Sequence, residues 1–203
     1  MSSFTSHDIG RAVKSLANTA EKEADFLNSA DGKLGDGDLG ITVSRGWREA
    51  EQRALPADVG MAFMTLAKAF QAASASSFGT LTATGLMSAA TACRGKTEVS
   101  WGDVSALLAG ARDAMLARGK GELGKKSVLD MMDALAAASA GLDTPSTILD
   151  AATLACEATL DKYRDRPNGL GRARIFSEKS IGIDDPGMLA VKVMLSALAG
   201  RTS

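Results

Sequence analysis

Three carboxylates and four glycines fall within ten residues of this sequence, directly before a predicted helix. The segment spans residues 31–40, and its acidic side chains are Asp31, Asp36 and Asp38. Carboxylate oxygens are ligands that Mg²⁺ prefers, and phosphate oxygens and water commonly complete its octahedral coordination. Glycines let backbone amides approach phosphate oxygens closely, and the N-terminus of the following helix adds partial positive charge. The segment therefore predicts a joint site for a divalent cation and a phosphate group.

The acidic segment also has an ordinary interpretation, because Asp and Gly both favour solvated turns that bind nothing. Spacing alone does not choose between a solvated turn and a metal site, so both interpretations stay open at this point. The spacing does not fit an EF-hand, which needs acidic or amide side chains at alternate positions, then a glycine and a later glutamate. The pattern G-x-x-x-x-G-K-[ST] is absent from the sequence, which excludes a P-loop.

Apolar periodicity predicts that helices position this segment. Apolar residues recur at steps of three and four along most of the chain, beginning with Ile9, Val13, Leu16 and Ala20. Capping signals precede several of these stripes: Thr5 with Asp8, Ser100 with Asp103, Ser127 with Asp130, Thr144 with Pro145, and Asp185 with Pro186. A sheet has little support, because no run of alternating β-branched residues stands out and aromatic content is 4%. We predict an all-α protein of about eight helices.

Length and composition fit one domain spanning residues 1–203. Apolar residues make up 45% of the chain and charged residues 23%, a balance typical of a compact protein rather than a disordered one. Amphipathic helices with short connections pack mostly antiparallel, which places their polar loops at the two ends of a bundle. We therefore expect the site at one end. The connection from about Tyr163 to Ile183 is longer than a bundle needs, and overlong loops are often binding loops or lids.

Charge and cysteine content limit the location and the partners. With 23 basic and 24 acidic residues, the chain has no overall field that would attract nucleic acid or an anionic membrane. The most apolar stretch, Gly187 to Gly200, is too short to cross a bilayer and contains Lys192. Two cysteines, Cys93 and Cys156, and one histidine, His7, form neither a disulfide framework nor a zinc site. Without a secretory signal at the amino terminus, we expect a cytoplasmic protein that binds neither nucleic acid nor membranes.

Four segments together resemble the nucleotide-binding L domain of the dihydroxyacetone kinase family. They are residues 27–46 around the acidic segment, residues 76–81, residues 119–130 and residues 171–187. The second resembles a Ser-Gly-containing phosphate turn, the third a Gly...Met-Leu-Asp stretch beside adenine, and the fourth the carboxy-terminal signature of the family. These segments cover almost the whole chain in the family's order, which argues against chance agreement.

The resemblance implies an antiparallel barrel of eight helices that binds ATP, or a tightly bound ADP, at one end through two magnesium ions. It implies that Asp31, Asp36 and Asp38 hold the magnesium and that they act together with Arg172 in catalysis. The implied nucleotide contacts are Leu39, Gly40, Ile41 and Thr42 at the phosphates, Ser76, Ser77 and Phe78 in the second phosphate turn, Gly119 and Val128 beside adenine, Arg172 at the phosphate charge, and Asp185, Pro186 and Gly187 closing the pocket.

The resemblance also implies a partner protein. In the family, a separate K subunit or domain holds the ketose, so this chain would deliver a phosphoryl group to dihydroxyacetone or a similar short-chain ketose held there. The phosphoryl source would be phosphoenolpyruvate, through a phosphocarrier M subunit that regenerates ATP from retained ADP, or ATP directly. We expect a homodimer or a hetero-oligomer.

Departures from the family pattern leave two further functions open. Leu39 and Ile183 stand where the family often has histidines, Phe78 interrupts the usual Ser-Ser-Gly turn, and Lys179 replaces an arginine. A changed pocket would suit a kinase subunit for a four-carbon ketose or a tetritol. A noncatalytic nucleotide-sensing regulatory module is the other alternative, because the retained carboxylates would serve it equally well.

Overall fold

A computed structural model describes residues 2–73 and 76–200, and nine α-helices supply most of the regular structure in these ranges. The helices are α1 Ser6–Lys22, α2 Ala24–Asp31, α3 Leu39–Glu51, α4 Val59–Ala73, α5 Ser77–Ala92, α6 Val104–Gly119, α7 Val128–Ala138, α8 Pro145–Arg164 and α9 Pro186–Ala199. Two short strands, β1 Ser3–Thr5 and β2 Glu98–Ser100, pair antiparallel with Phe4 opposite Val99. Two 3₁₀ segments, Trp101–Asp103 and Arg172–Ser180, complete the elements. The predicted all-α class is confirmed.

Eight of the helices form a closed ring, as the family resemblance implied. Helices α1, α3, α4, α5, α6, α7, α8 and α9 each pack against the next one, and α9 returns to α1. The remaining helix, α2, follows α1 after the single residue Glu23 and packs against α3 and α9. It was not predicted as a separate helix, because its eight residues are too few to show a clear apolar stripe. No helix in the described ranges is both long and apolar enough to cross a membrane.

Four of the five predicted caps begin α-helices where the sequence placed them, whereas Ser100 caps the 3₁₀ turn Trp101–Asp103 that leads into α6. Thr5 with Asp8 and Ser127 with Asp130 form complete capping boxes at the starts of α1 and α7. The carboxylate of Asp185 accepts a hydrogen bond of 2.9 Å from the backbone amide of Met188. These side chains satisfy amides that have no partner within their helix, and so they fix the points at which the helices start.

Apolar side chains fill the ring from two adjoining clusters. The first cluster lies mainly between α1, α3, α4 and α9, where Trp47 meets Phe70 edge to face with ring centroids 4.8 Å apart. The second lies between α7, α8 and α9 and includes Leu129, Leu160 and Met188. Because α9 contributes to both clusters, the ring packs as one unit, and its helix ends form a fixed frame for the loops.

Candidate functional site

One end of the ring contains a cavity of about 610 Å³ that is lined by helix ends and loops. Residues at the starts of α3, α5, α7 and α9 line it, together with the end of α6 and residues 170–175. A helix N-terminus carries partial positive charge and amides without intrahelical partners, so four such termini around one cavity favour an anion. The architecture therefore suits an anion such as phosphate before any side chain is considered.

The acidic turn, residues 31–38, places its three carboxylates together at the mouth of this cavity. One oxygen of each carboxylate lies within 4.8 Å of one oxygen of each of the others. The Oδ2 atom of Asp31 accepts hydrogen bonds from the backbone amides of Gly37 and Asp38, at 2.9 and 3.2 Å. Gly37 has a φ of 76°, a left-handed conformation that glycine adopts readily, and the turn depends on it. The buried side chain of Leu34 anchors the same turn.

This donor set fits a magnesium ion. Three clustered carboxylates supply hard oxygen ligands, and the exposure of Asp36 and Asp38 leaves room for water and phosphate oxygens to bind as well. Like charges this close repel one another, and a divalent cation would offset that repulsion.

Three arginines line the cavity together with the acidic turn. Arg172 begins the 3₁₀ segment and forms an ion pair with Asp36, and both side chains are about half exposed. Arg118 lies near the end of α6, and Arg174 lies on the same segment as Arg172. A guanidinium group binds phosphate oxygens with two parallel hydrogen bonds, so this combination of charges suits a cation bound to a polyanion.

The turn that the resemblance assigns to phosphate, residues 76–78, lies beside the start of α3. The hydroxyl of Ser76 caps α5 by accepting a hydrogen bond of 3.0 Å from the amide of Gly79. Thr42 donates a 3.3 Å hydrogen bond to the same Ser76 oxygen, which joins the first turns of α3 and α5. Ser77 and Phe78 follow on α5 and also line the cavity. Two helix N-termini therefore meet at one place, an arrangement that favours an anion.

Part of the cavity lining is apolar and suits the flat ring of a base. Val128 and Leu129 from α7 line it, with Gly119 from the end of α6 and with Leu81 and Leu170. Apolar side chains of this kind commonly form most of a small-molecule pocket, while a few polar groups fix the orientation of the ligand.

Asp185 closes the cavity beside this wall and is buried. Its second carboxylate oxygen accepts a 2.7 Å hydrogen bond from the side-chain amide of Asn168. Burial raises the pKa of Asp185 to about 6, although its hydrogen bonds and the nearby ammonium of Lys126 act in the opposite direction. These contacts identify Asp185 as a helix cap that shapes the pocket.

The structure brings all but two of the predicted site residues to this cavity. Those that line it are Asp31, Asp36, Asp38, Leu39, Thr42, Ser76, Ser77, Phe78, Gly119, Val128, Arg172, Asp185, Pro186 and Gly187. Among the described residues, Gly40 and Ile41 are not part of the lining. A Cβ atom on Gly40 would lie 1.9 Å from the carbonyl oxygen of Ala24, so this glycine permits close contact between α2 and α3. The amide of Ile41 donates to the side chain of Asn28 at 3.2 Å.

Several lining residues were not predicted. They are Thr80, Leu81, Arg118, Ser127, Leu129, Leu170, Gly171, Ala173, Arg174 and Ile175. Arg118 begins the basic, glycine-rich connection after α6, and Arg174 belongs to the arginine-rich part of the long loop, so both carried a signal in the sequence. Leu81 and Leu170 carried none, because an apolar residue in a pocket has the same sequence pattern as one in the core.

Comparisons with known proteins identify the family of this chain. The family model of the DAK2 domain matches residues 33–200. The chain is 28% identical over 189 residues to the ADP-binding subunit DhaL of the PEP-dependent dihydroxyacetone kinase of Escherichia coli (strain K12), covering 87% of this chain and 88% of that subunit. It is 37% identical over 194 residues to L-erythrulose 1-kinase of Mycolicibacterium smegmatis, covering 88% of this chain but 32% of that enzyme.

The fold also matches a solved enzyme. The crystal structure of the dihydroxyacetone kinase of C. freundii, in complex with AMP-PNP and Mg²⁺, superposes with a TM-score of 0.73 at 23% identity, covering 94% of this chain and 33% of that one. At this identity, the likeness establishes the fold. Because the family model covers most of the sequence, the chain belongs to the DAK2 domain family.

Proposed function

We propose that this chain is the nucleotide-binding subunit of a ketose kinase. It would hold magnesium with ADP or ATP at the open end of the helix ring and deliver a phosphoryl group to a ketose held by a separate subunit. The observation that carries the proposal is the convergence of Asp31, Asp36 and Asp38 with four helix N-termini and three arginines around one cavity. The ADP-binding subunit of Escherichia coli, similar over nearly its whole length, supports it.

The residues of the cavity divide the work of phosphoryl transfer. Asp31, Asp36 and Asp38 would hold two magnesium ions, which neutralise charge on phosphate oxygens when bound. Arg172 and the first turns of α3 and α5 bind the remaining phosphate charge, while Val128 and its apolar neighbours orient the base. Phosphoryl transfer needs charge stabilisation and alignment more than covalent chemistry, and these residues supply both.

The composition of the cavity supports a separate ketose-binding partner. Among the described residues that line it, none is a lysine or a histidine, so no amine or imidazole is placed to hold a carbonyl substrate covalently. The hydroxyl of the ketose would attack the terminal phosphoryl group, and the bridging oxygen would leave with ADP. A K-type subunit that presents the ketose at the cavity mouth completes this reaction.

For the phosphoryl source, we favour phosphoenolpyruvate through an M-type phosphocarrier subunit. Relatives that match over most of their own length include the DhaL subunits of PEP-dependent enzymes in Escherichia coli and Listeria innocua. In such a system, ADP stays on this chain and is phosphorylated there, so the nucleotide acts as a bound cofactor.

A four-carbon ketose is the second candidate substrate. The identity of 37% to an L-erythrulose 1-kinase favours it, and Leu39, which replaces a family histidine, lines the cavity. Rates on dihydroxyacetone and on L-erythrulose with the reconstituted subunits would choose between the two acceptors.

Calorimetric titration with ADP tests the nucleotide site directly. We expect tight binding in the presence of Mg²⁺ and loss of that binding in excess EDTA, because the carboxylates hold the nucleotide through the metal. Equal affinity with and without the metal would contradict the proposed site. The isolated chain should phosphorylate little ketose, whereas addition of its ketose-binding and phosphocarrier partners with phosphoenolpyruvate should give turnover. Rapid turnover by the chain alone would contradict the proposed division between subunits.

A further inference from the structure

A buried lysine outside the cavity lining, Lys126, joins two segments that line the cavity, residues 127–129 and residues 170–175. Lys126 is 1% exposed, and its Nζ atom donates hydrogen bonds to the backbone carbonyls of Arg164, Arg166 and Ser180, at 2.9, 2.8 and 2.7 Å. An ammonium group has three donors, so all of them are used. These contacts are directed at the backbone, and they therefore fix the path of the chain whatever side chains it carries.

The three acceptors lie at the two ends of the loop that supplies Arg172. Arg164 ends α8, Arg166 lies at the start of the loop that follows, and Ser180 ends its 3₁₀ segment, while residues 170–175 between them line the cavity. One ammonium therefore closes the base of the whole loop. We call these three hydrogen bonds of Lys126 the junction. The amide of Gly169 donates to the carbonyl of Lys125 at 2.8 Å and reinforces it.

The backbone of Lys126 leads directly into the apolar part of the cavity lining. Ser127 follows it as the cap of α7, and Ser127, Val128 and Leu129 line the apolar side of the cavity. The side-chain amide of Asn168 donates to the carbonyl of Lys126 at 2.7 Å and also to the carboxylate of Asp185. The junction thus joins the Arg172 loop to the starts of both α7 and α9.

Local chemistry disfavours a lysine at this position. Its φ of 56° is a left-handed conformation in which glycine would be less strained. Burial lowers the pKa of the Lys126 ammonium, with Asp185 and Asp184 opposing that effect. A residue that only filled space here would be uncharged, so the observed contacts are what justify an ammonium.

We propose that Lys126 is a positioning residue for phosphoryl transfer, and that it holds the Arg172 loop in register with the nucleotide. This inference rests on the proposed function for its ligand, although the contacts themselves do not. Small displacements of charge-stabilising groups cost large factors in such sites, because binding and alignment both depend on their position.

A double-mutant cycle tests this role. Lys126→Met keeps an unbranched side chain of similar length but removes the ammonium. Arg172→Gln removes the guanidinium group that is proposed to contact phosphate, and the third variant combines both changes. We expect Lys126→Met to weaken Mg²⁺–ADP binding at least tenfold in calorimetry, and we expect the double variant to bind within twofold of Arg172→Gln alone. That non-additivity follows if Lys126 acts through Arg172. Val59→Ala, a core change on α4, controls for general destabilisation.

Hydrogen exchange provides a measurement that needs no nucleotide. In Lys126→Met, the amides of residues 165–182 should exchange faster, while those of α1, α3 and α4 should keep their protection. If this variant does not fold, Asn168→Ala is the substitute. It leaves the ammonium in place but removes the hydrogen bonds from Asn168 to Lys126 and Asp185, and it should give the same exchange pattern with a smaller increase in rate.

Three results would overturn the positioning role. They are an affinity of Lys126→Met within twofold of the parent chain, additive losses in the double variant, and equal loss of affinity in Val59→Ala. Failure of the parent chain to bind Mg²⁺–ADP would instead overturn the proposed function, and the exchange data would still decide whether Lys126 holds the loop. Unchanged exchange in residues 165–182 of Lys126→Met would show that Lys126 does not hold the loop.

Discussion

The acidic turn at the cavity mouth and the buried polar cluster beside the cavity use charge in opposite ways. In the turn, Asp36 and Asp38 are exposed, and backbone amides organise the carboxylates through Asp31. In the buried polar cluster, which we define as Lys126, Asn168, Ser180 and Asp185, every residue is at most 7% exposed and hydrogen-bonded. Exposed charges contribute little to stability and stay available to a ligand, whereas buried ones must be paired and so fix the backbone.

Of the changes considered for these two regions, removal of one carboxylate from the acidic turn should have the largest effect, and that effect is on Mg²⁺–ADP affinity. We expect Asp38→Asn to weaken Mg²⁺–ADP binding by about 100- to 1000-fold, the scale of losing one charge-stabilising group in an active site. The melting temperature should stay within about 1 °C of the parent, because exposed side chains contribute little to unfolding free energy. Calorimetry and thermal melting measure the two quantities.

Asp150→Asn is the matched control for this change. Asp150 is exposed on α8, lies outside the cavity lining and loses the same single charge. It should leave affinity unchanged. A large drop in the melting temperature of Asp38→Asn would show that the turn carries stability after all, and the contrast with the buried polar cluster would then disappear.

Gly40 provides a second test, because its predicted role and its observed position differ. The family resemblance implied a phosphate contact, whereas in the structure Gly40 packs α3 against the backbone of Ala24. Gly40→Ala should lower the free energy of unfolding by about 1–3 kcal/mol, the usual cost of overpacking a close contact. Urea denaturation measures it.

Gly10→Ala separates close packing from helix propensity. A Cβ atom on Gly10 in α1 would lie 3.8 Å from the nearest atom, a side-chain carbon of Leu55, which is ordinary contact. Alanine should stabilise this position by up to about 1 kcal/mol, since it is the better helix former.

Normal stability in Gly40→Ala, combined with weaker nucleotide binding, would favour the phosphate role of Gly40 over its packing role.

The features that the sequence predicted are local ones. Helix caps such as Thr5 with Asp8 involve residues three apart, so their chemistry is visible in the sequence, and the acidic turn occupies only a few residues. The strand pair was missed because β1 and β2 are three residues each and lie more than ninety positions apart. Gly40 and Lys126 were missed for a related reason: their roles depend on atoms of Ala24, Arg164 and Ser180, which only the fold brings near.

The smallest expected effect is a pH dependence of the unfolding free energy that comes from Asp185 in the buried polar cluster. Burial raises the pKa of this carboxyl to about 6, above its ordinary value of 3.8. Between these values, the folded chain keeps a proton that the unfolded chain has released. The contribution of Asp185 to stability should therefore be present at low pH and be lost as the pH rises through about 6. Its slope is at most about 1.4 kcal/mol per pH unit, the value for one proton.

Asp8 changes stability in the opposite direction: burial acts to raise the pKa of its carboxyl, but hydrogen bonds from Thr5 and the charge of Arg11 hold that pKa below its usual value. The informative quantity is therefore the difference in unfolding free energy between the parent chain and Asp185→Asn, measured by urea denaturation from pH 4 to 8. Asparagine still caps a helix but does not titrate, so the difference should decline between pH 4 and 6 and level off above 7. A difference that does not change with pH would mean that Asn168 and Lys126 offset the burial of Asp185 completely, so that the pKa of its carboxyl is the same in the folded and the unfolded chain.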